Sequence, residues 1–184
     1  RVNYGYDSRY LVELSGRYDG SYKFAGNVKG SRWGFFPSAS VAWRMSNEPF
    51  FEPAKSVLND LKIRASFGEV GMDDVSAFSF LSRLGLTSPQ YSAIFGGTPV
   101  QGYQTVAVAN PLLTWERQRS VNLGFDAIFW QRRLGIEFDA FYTYTYDILA
   151  ATTGYPASMG GYYPTYSNNN AIDNRGVEVT LSHD

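Results

Sequence analysis

Few side chains in this sequence could perform catalysis. His183 is the single histidine, so a Ser-His-Asp triad would have one available base, at the very end of the chain. Nothing near His183 supplies the rest of the triad geometry. The sequence contains no cysteine, which excludes disulfides, thiolate metal sites and cysteine nucleophiles. We interpret His183 as an incidental polar position and predict that the protein is not an enzyme.

A pair of acidic residues offers a second kind of chemistry. Glu137 and Asp139 lie two positions apart, so both carboxylates share one face of a strand, as a glycosidase acid and base could. Catalytic carboxylate pairs need unlike environments, however, and basic residues recur on the same face of neighbouring strands. We therefore predict a salt-bridge network in a barrel lumen, with the members Asp126, Glu137, Asp139, Asp147, Arg17, Arg44, Lys62 and Arg64.

The glycine-rich run 68–74, GEVGMDD, could suggest a phosphate or cation site. It lacks the glycine spacing and the lysine of a nucleotide-binding loop, and no helical pattern follows it. Asp73 and Asp74 are adjacent acids without the spacing of a calcium loop. We predict no catalytic residue, no cofactor-binding residue and no metal ligand in this chain.

Aromatic residues are the compositional outlier, at 17% with 14 Tyr, 13 Phe and 4 Trp. Rings with a polar tip favour the lipid–water boundary, so we predict an interfacial girdle from those near strand ends or on apolar strand faces. Its expected members are Tyr18, Trp33, Phe35, Trp43, Phe67, Phe129, Trp130, Tyr142 and Tyr144. Aromatic residues in loops could instead stack on a sugar ring, although packing within the loops is the favoured interpretation. These candidates are Tyr91, Phe95, Tyr103, Tyr155, Tyr162, Tyr163 and Tyr166.

The elements that must position these residues are strands. Residues 121–149 predict two long strands around a tight turn at Trp130-Gln131-Arg132, because apolar and polar residues alternate on both sides of it. Each arm exceeds the usual strand length of a globular protein. The apolar positions are Val121, Leu123, Phe125, Ala127, Phe129, Leu134, Ile136, Phe138, Ala140, Tyr142, Tyr144 and Tyr146. One apolar face that ends in aromatic residues, opposite a face with carboxylates, favours a membrane barrel wall.

The rest of the chain predicts five further strands. They are a stub at 1–6, strands at 9–19 and 33–46, a short strand at 61–68 and a final strand around 177–181. We expect Pro37 to lie at a bulge or above the membrane, because proline cannot donate to a ladder. The connections are a turn, a glycine-rich loop 20–32, a helical turn at Pro53–Leu58, a long loop 70–113, the tight turn and a loop 150–172. Long and short connections therefore fall on opposite sides of the sheet, as in outer-membrane barrels.

Composition bounds the class of protein. A formal net charge of −1 without a basic run gives no basis for a nucleic-acid partner. No apolar run approaches the roughly 18 residues of a membrane-spanning helix. No signal peptide precedes Arg1, so we expect an internal fragment of an exported protein. Seven strands, one a stub, are an odd number, which predicts an arc of a larger barrel.

Five segments in series resemble consecutive barrel segments of the SusC/RagA family of TonB-dependent outer-membrane transporters. They are RYLVELSGRYDGSYKF, RWGFFPSASVAWRMSNEPFF, LKIRASFGEVG, LTWERQRSVNLGFDAIFWQRRLGIEFDAFYTYTYDIL and NRGVEVTL. The resemblance implies an all-β, antiparallel transmembrane barrel of 22 strands with a plugged lumen, of which residues 1–184 form part of a single barrel domain. The plug would lie upstream of Arg1, and the remaining strands after Asp184.

The same resemblance implies a function. Such transporters lie in the outer membrane of Gram-negative bacteria and import glycans or peptides together with a SusD-like surface lipoprotein that acts as a lid. TonB, ExbB and ExbD would supply energy through the plug, and the loop aromatic residues become candidates for contact with the lid as well as with substrate. The alternative is a soluble carbohydrate-binding β-sandwich with tyrosine-rich ligand loops. A sandwich would expose its polar faces as separate charged surfaces, whereas a barrel collects them into one lining.

Overall fold

The computed structural model describes residues 1–89, 92–153, 156, 158 and 163–183. Seven strands in these ranges form one antiparallel sheet in chain order, which confirms the predicted all-β meander and its N-terminal stub. They are β1 (Val2–Tyr6), β2 (Tyr10–Gly20), β3 (Trp33–Arg44), β4 (Leu58–Met72), β9 (Glu116–Phe129), β10 (Leu134–Ala151) and β11 (Tyr166–His183). Strands β5 to β8 lie in the connection between β4 and β9.

One face of this sheet is apolar across its whole width. A single register row joins seven residues, one from each strand: Tyr4, Val12, Val41, Ala65, Leu123, Ala140 and Val177. We call the side of the sheet that carries this row the apolar face and the opposite side the polar face. Leu123, near the middle of the row, is 57% exposed. In the described ranges no second sheet covers this face, so the two-sheet core of a soluble sandwich is not formed here.

The short and long connections lie at opposite ends of the sheet, as predicted. The short end has the turn 7–9, the link 45–57 and the turn 130–133, and backbone hydrogen bonds join these connections to their neighbours. The link contains two 3₁₀ helices, Met45–Asn47 and Pro49–Ser56. The predicted helical turn is therefore present, but it begins earlier and ends before Leu58, which already belongs to β4.

The tight turn 130–133 has no glycine although its backbone is left-handed. Trp130, Gln131 and Arg132 have φ angles of 50°, 58° and 71°. The side-chain oxygen of Asn59 accepts the backbone N–H groups of Gln131 and Arg132 at 2.6 and 3.3 Å. The backbone N–H of Trp130 donates to the carbonyl of Val57 at 2.9 Å. Non-glycine residues persist in such conformations when their surroundings hold them, and here the neighbouring strand does so.

Three boundaries differ from the sequence prediction. Strand β4 spans 15 residues and is not short, because its register with β9 continues to Met72. Strand β11 begins at Tyr166, so Asn168, Asn169 and Asn170 lie in a strand and not in a loop. Pairing with β10 outweighs the turn preference of asparagine there. The predicted loop 150–172 is correspondingly shorter.

Pro37 makes no bulge in the β2–β3 ladder, where it is in register with Gly16. The β3–β4 ladder instead begins one residue later, at Ser38. Pro37 therefore has no partner in the β3–β4 ladder, so its missing N–H breaks no hydrogen bond there. This agrees with the second predicted location, where strand pairing is looser.

The space that opens between β3 and β4 beyond Pro37 is filled by a small hydrophobic cluster at the long-loop end. We call it the loop core, with the buried members Phe24, Phe36, Val75, Leu113 and Trp115. The Trp115 ring centroid lies 5.5 Å from that of Phe24 and 5.4 Å from that of Phe36. The Trp115 indole N–H also donates to the carbonyl of Arg32 at 3.1 Å. The loop core thus packs the β2–β3 loop against both ends of the β4–β9 connection.

The β4–β9 connection was predicted to lack secondary structure and contains four short strands. Strand β5 (Arg83–Leu86) pairs with β8 (Tyr103–Ala107), and β6 (Ala93–Phe95) pairs with β7 (Thr98–Val100). Among the described residues, no helix is long and apolar enough to cross a lipid bilayer.

Candidate functional site

The polar face carries a salt-bridge network that joins three strands. Arg64 on β4 contacts Asp126 on β9 at 3.0 Å and Asp139 on β10 at 2.7 Å, and Lys62 lies 3.6 Å from the other oxygen of Asp126. We call these four residues the polar-face network. Gly124 lies in register between Arg64 and Asp139 and leaves room for the guanidinium to pass. The network prediction is confirmed for these four residues.

The other predicted members of the network lie elsewhere. Arg17 pairs with Asp19 at 2.5 Å, and Arg44 lies 3.9 Å from Asp60. Glu137 lines a cavity of about 390 Å³ near the short end, together with Arg44, Lys62 and Arg132. Asp147 has a φ of 53° in the irregular part of β10, and its carbonyl accepts a hydrogen bond from Asn168. Opposite charges alternate along this face, which suits a hydrated lining.

The candidate loop residues separate into two groups. Phe95 and Tyr103 are 68% and 74% exposed on the small sheets of the β4–β9 connection. Tyr166 is half-buried and packs against the loop core, and its carbonyl accepts the Asn110 side chain at 2.8 Å. Tyr163 is also half-buried. The remaining candidates, Tyr91, Tyr155 and Tyr162, lie outside the described residues. Phe95 and Tyr103 thus have the exposure that contact with a substrate or partner requires, whereas Tyr166 has a packing role.

The aromatic girdle residues lie at both ends of the apolar face. At the long-loop end, Tyr18 and Trp33 stack with ring centroids 5.2 Å apart. At the short end, Phe129 and Trp130 lie 5.9 Å apart, and Trp43 stacks on Tyr10. Two aromatic levels with an apolar band between them are typical of a β-barrel that spans a membrane.

A buried carboxylate joins the strands at the short end. Glu48 is 8% exposed and accepts hydrogen bonds from the Tyr10 hydroxyl at 2.6 Å and from the Trp43 indole at 3.2 Å. The Arg9 guanidinium lies 3.4 Å from the same carboxylate. The hydrogen bonds from Tyr10 and Trp43 hold the pKa of Glu48 below its usual range. This contact fixes the link 45–57 under the sheet and has no acid–base role.

The remaining sequence candidates have structural surroundings. Asp73 accepts a hydrogen bond from the Ser21 hydroxyl at 2.7 Å and lies 3.6 Å from the Lys23 ammonium, so its carboxylate helps to tie the β2–β3 loop to the β4–β9 connection. His183 is the last residue of β11, in register with Leu134. Neither residue lies in the polar-face network.

Sequence reasoning missed a charged cluster on the apolar face. Glu69 has the strand parity of Ala65 and Phe67, and Arg117 and Arg119 have the parity of Val121 and Leu123. Glu69 is 7% exposed; its two oxygens accept hydrogen bonds from Arg117 at 2.6 Å and Arg119 at 2.8 Å. The sequence contained the signal. Glu69 continues the alternation of the apolar residues on β4, and Arg117 and Arg119 continue that of the apolar residues on β9.

The fold and its two faces agree with what comparison with known proteins finds. The sequence profile of the family described as "TonB dependent receptor-like, beta-barrel" matches residues 1–184, the whole chain. The chain belongs to this family. The family comprises outer-membrane receptors and transporters of Gram-negative bacteria, and it is not a family of enzymes. The predicted kinship and the predicted fold class, an antiparallel part of such a barrel domain, are confirmed.

Individual TonB-dependent receptors are also similar to this chain in sequence. The chain is 31% identical to TonB-dependent receptor P3 of Formosa agariphila over 99% of its own length and 17% of that protein. It is 29% identical to TonB-dependent receptor SusC of Bacteroides thetaiotaomicron, over 99% of the chain and 18% of that receptor. The chain therefore spans less than a fifth of the length of these curated relatives.

Solved structures give the same picture in three dimensions. The RagAB peptide importer in the "closed-closed" state matches with a TM-score of 0.81 and 25% identity, over 98% of this chain and 18% of that chain. Its "open-open" state matches with a TM-score of 0.81 and 26% identity, over 97% and 18%. The seven-stranded sheet of this TonB-dependent receptor barrel thus has the same fold as part of a known importer.

Proposed function

We propose that this chain is part of the barrel wall of an outer-membrane active transporter that imports oligosaccharides or peptides. The observation that carries the proposal is the two-sided sheet. An apolar row crosses all seven strands, while Lys62, Arg64, Asp126 and Asp139 form a connected charged network on the opposite side. Lipid contacts the first side and the hydrated lumen contacts the second.

The proposed partners follow from the family. A SusD-like lipoprotein covers the long-loop end as a lid, and a plug coupled to TonB, ExbB and ExbD fills the lumen. Support comes from the relatives named SusC and RagAB. The long-loop end also presents exposed aromatic residues, of which Phe95 and Tyr103 are the described examples. Phe95, Tyr103, Tyr163, Tyr166 and the candidates outside the described residues remain proposals for contact with the substrate or the lid.

Localisation and co-purification of the full-length parent protein test this proposal. Membranes of the source cell are separated on a density gradient, extracted with detergent and probed for this segment. We expect recovery in the outer-membrane fraction, with a lipoprotein of the SusD type in the same complex. Recovery in the soluble fraction would contradict the membrane assignment. Recovery in the outer membrane without a lipoprotein would contradict the two-component importer.

Substrate class is tested on the same purified complex. Oligosaccharide and peptide mixtures are incubated with it, washed and eluted, and the retained molecules are identified by mass spectrometry. Greater retention of one class by the intact complex than by a complex that lacks residues 83–107 supports transport of that class. Equal retention by both complexes would contradict a substrate role for the aromatic residues within 83–107, which are Tyr91, Phe95 and Tyr103.

A further inference from the structure

We propose that Arg119 binds the phosphate group of an anionic lipid in the outer leaflet of the membrane. Glu69 and Tyr146 hold the guanidinium groups of Arg119 and its neighbour Arg117 in place, and we call these four residues the rim cluster. This inference rests on the proposed membrane location and adds a ligand site to the lipid-facing side of the wall, which the transport function does not require.

The rim cluster continues the apolar face beyond its last apolar row. That row consists of Phe67, Val121 and Tyr142, and the next row on the same face consists of Glu69, Arg119 and Tyr144. Arg117 lies one row further, beside Tyr146. Because side chains alternate along a strand, these residues point to the same side as Leu123 and away from the polar-face network. The loop core covers Arg117 there, because its guanidinium lies over the Phe36 ring at 5.4 Å, whereas Arg119 lies one row nearer the apolar rows.

The level of the cluster agrees with the height of a membrane. Ten residues separate Phe129, at the short end of β9, from Arg119, which corresponds to about 33 Å of strand. When the strand is tilted by about 40° from the membrane normal, this length spans about 25 Å along the normal. That is the height of the apolar band of outer-membrane barrels. Arg119 therefore lies where the apolar band gives way to lipid headgroups on the long-loop side.

Internal contacts prearrange the two guanidinium groups. Arg117 donates to one oxygen of Glu69 at 2.6 Å and the Nε of Arg119 donates to the other at 2.8 Å. The Tyr146 hydroxyl donates to the first of these oxygens at 3.4 Å, and the Arg119 guanidinium lies over the Tyr146 ring at 4.8 Å. Two cations share one carboxylate, so the cluster has one excess positive charge. Less side-chain entropy is lost on binding when the donors are already fixed.

The Arg119 side chain is half-exposed on this side of the sheet and presents part of its planar donor group to the surroundings. A guanidinium matches phosphate oxygens in charge and in geometry, which makes an anionic phosphate headgroup the best-suited ligand. Asp173 and Arg175 lie on the same face of the adjacent β11, and their opposite charges leave the excess positive charge of the cluster unchanged. Tyr142 and Tyr144 flank the site with the amphipathic rings typical of a lipid–water boundary.

Lipid binding to the full-length transporter in detergent tests the proposal. Native mass spectrometry compares phosphatidylglycerol with diacylglycerol of the same acyl chains. We expect the wild type to bind phosphatidylglycerol about tenfold more tightly, the effect of one charge-assisted hydrogen bond. Arg119→Gln should lose most of this preference, and Arg119→Lys should keep part of it. Arg17→Gln is the control: Arg17 lies on the polar face, near the long-loop end of β2, and the variant should behave as the wild type.

Three results would overturn the lipid site. The first is an unchanged preference in Arg119→Gln, and the second is an equal loss in Arg17→Gln. The third is displacement of phosphatidylglycerol by millimolar inorganic phosphate, because the site would then take free phosphate and not a lipid. Failure of the proposed function has a different result, since the parent protein would then be absent from the outer membrane. A protein that is present there and binds both lipids equally contradicts only the lipid site.

Discussion

Arg64 and Asp139 form an ion pair at 2.7 Å although they belong to strands that do not pair with each other. The strand between them contributes Gly124 at the same register level. The guanidinium therefore crosses β9 over a residue without a side chain. One glycine on the middle strand thus permits a charged contact across three strands of the polar face.

Gly124→Ala should destabilise the barrel by about 1–3 kcal/mol, the usual cost of an inserted methyl group in a tightly packed site. A Cβ at this position would lie 2.5 Å from Oδ1 of Asp139 and 2.7 Å from the carbonyl oxygen of Phe138. Denaturant unfolding of the full-length protein in detergent measures the change. Gly68→Ala is the matched control on the same face, because its Cβ would meet nothing closer than 3.8 Å. Equal stability of the two variants would contradict this account of Gly124.

Leu123→Arg should cost roughly 2–4 kcal/mol, because Leu123 lies near the middle of the apolar row, which under the proposed function faces lipid. Asn122→Arg, on the next residue, should cost little, since Asn122 points to the polar face. Both variants are compared by the same unfolding measurement in detergent or lipid. Equal costs would contradict the assignment of the two faces.

The pH dependence of stability should reveal the Glu48 carboxylate. Hydrogen bonds from Tyr10 and Trp43 lower the pKa of Glu48 in the folded state. The stabilisation is therefore fully present above the unfolded-state pKa, about 4.3, and is lost as pH falls through the lower folded-state pKa. The stability advantage of the wild type over Glu48→Gln should be constant at neutral pH and shrink below about pH 4. Glu52→Gln, in the same link but exposed, is the control and should show no such trend.

Trp115→Ala should loosen the long-loop end without unfolding the sheet. The substitution removes the ring contacts with Phe24 and Phe36 and the hydrogen bond to Arg32. We expect the free energy of local opening to fall by about 3–5 kcal/mol, as for other buried tryptophans. Hydrogen exchange of the amides in loop 21–32 measures the effect. Trp130→Ala, at the opposite end of the sheet, should leave the exchange of loop 21–32 unchanged. Faster exchange of loop 21–32 in this variant would contradict a local role for the loop core.

Tyr103→Ala in the full-length transporter should reduce substrate uptake roughly three- to tenfold if its exposed ring contacts the substrate or the lid. Tyr142→Ala removes a ring from the apolar face and should leave uptake near the wild-type rate. Uptake of labelled substrate by cells that contain equal amounts of each variant makes the comparison. Equal rates for Tyr103→Ala and the wild type would remove Tyr103 from the candidate site.

Periodicity predicted the sheet well because its two faces meet different surroundings. The alternation around Leu123 and Asp126 persists through β9 and β10, and their register follows from the turn between them. The same logic predicted the contacts of Arg64 with Asp126 and Asp139, since strand parity placed all three on one face. Strand ends were less predictable: the turn preference of Asn168 gave no sign that β10 would pair with it.

The loop core could not be predicted because its members come from segments far apart in the chain. Phe36 has the parity of the polar face, and Trp115 comes just before a strand. Their contact depends on the gap between β3 and β4, which begins where the β3–β4 ladder stops at Ser38. The rim cluster was predictable in principle, since Glu69 and Arg119 interrupt an apolar parity at the same register level.

The cap on the turn 130–133 bears on the order in which the wall is assembled. The backbone N–H groups of Gln131 and Arg132 donate to the side chain of Asn59, some seventy positions earlier in the chain, and that of Trp130 donates to the carbonyl of Val57. The conformation of the turn therefore depends on β4 and the link before it as well as on the pairing of β9 with β10, and its hydrogen bonds are complete only when β4 is already present as a template. Strands added in chain order to a growing edge meet this condition, whereas hairpins that form separately and then associate do not. In a wall built in this way, the turn 130–133 takes its final shape against a strand that is already in place.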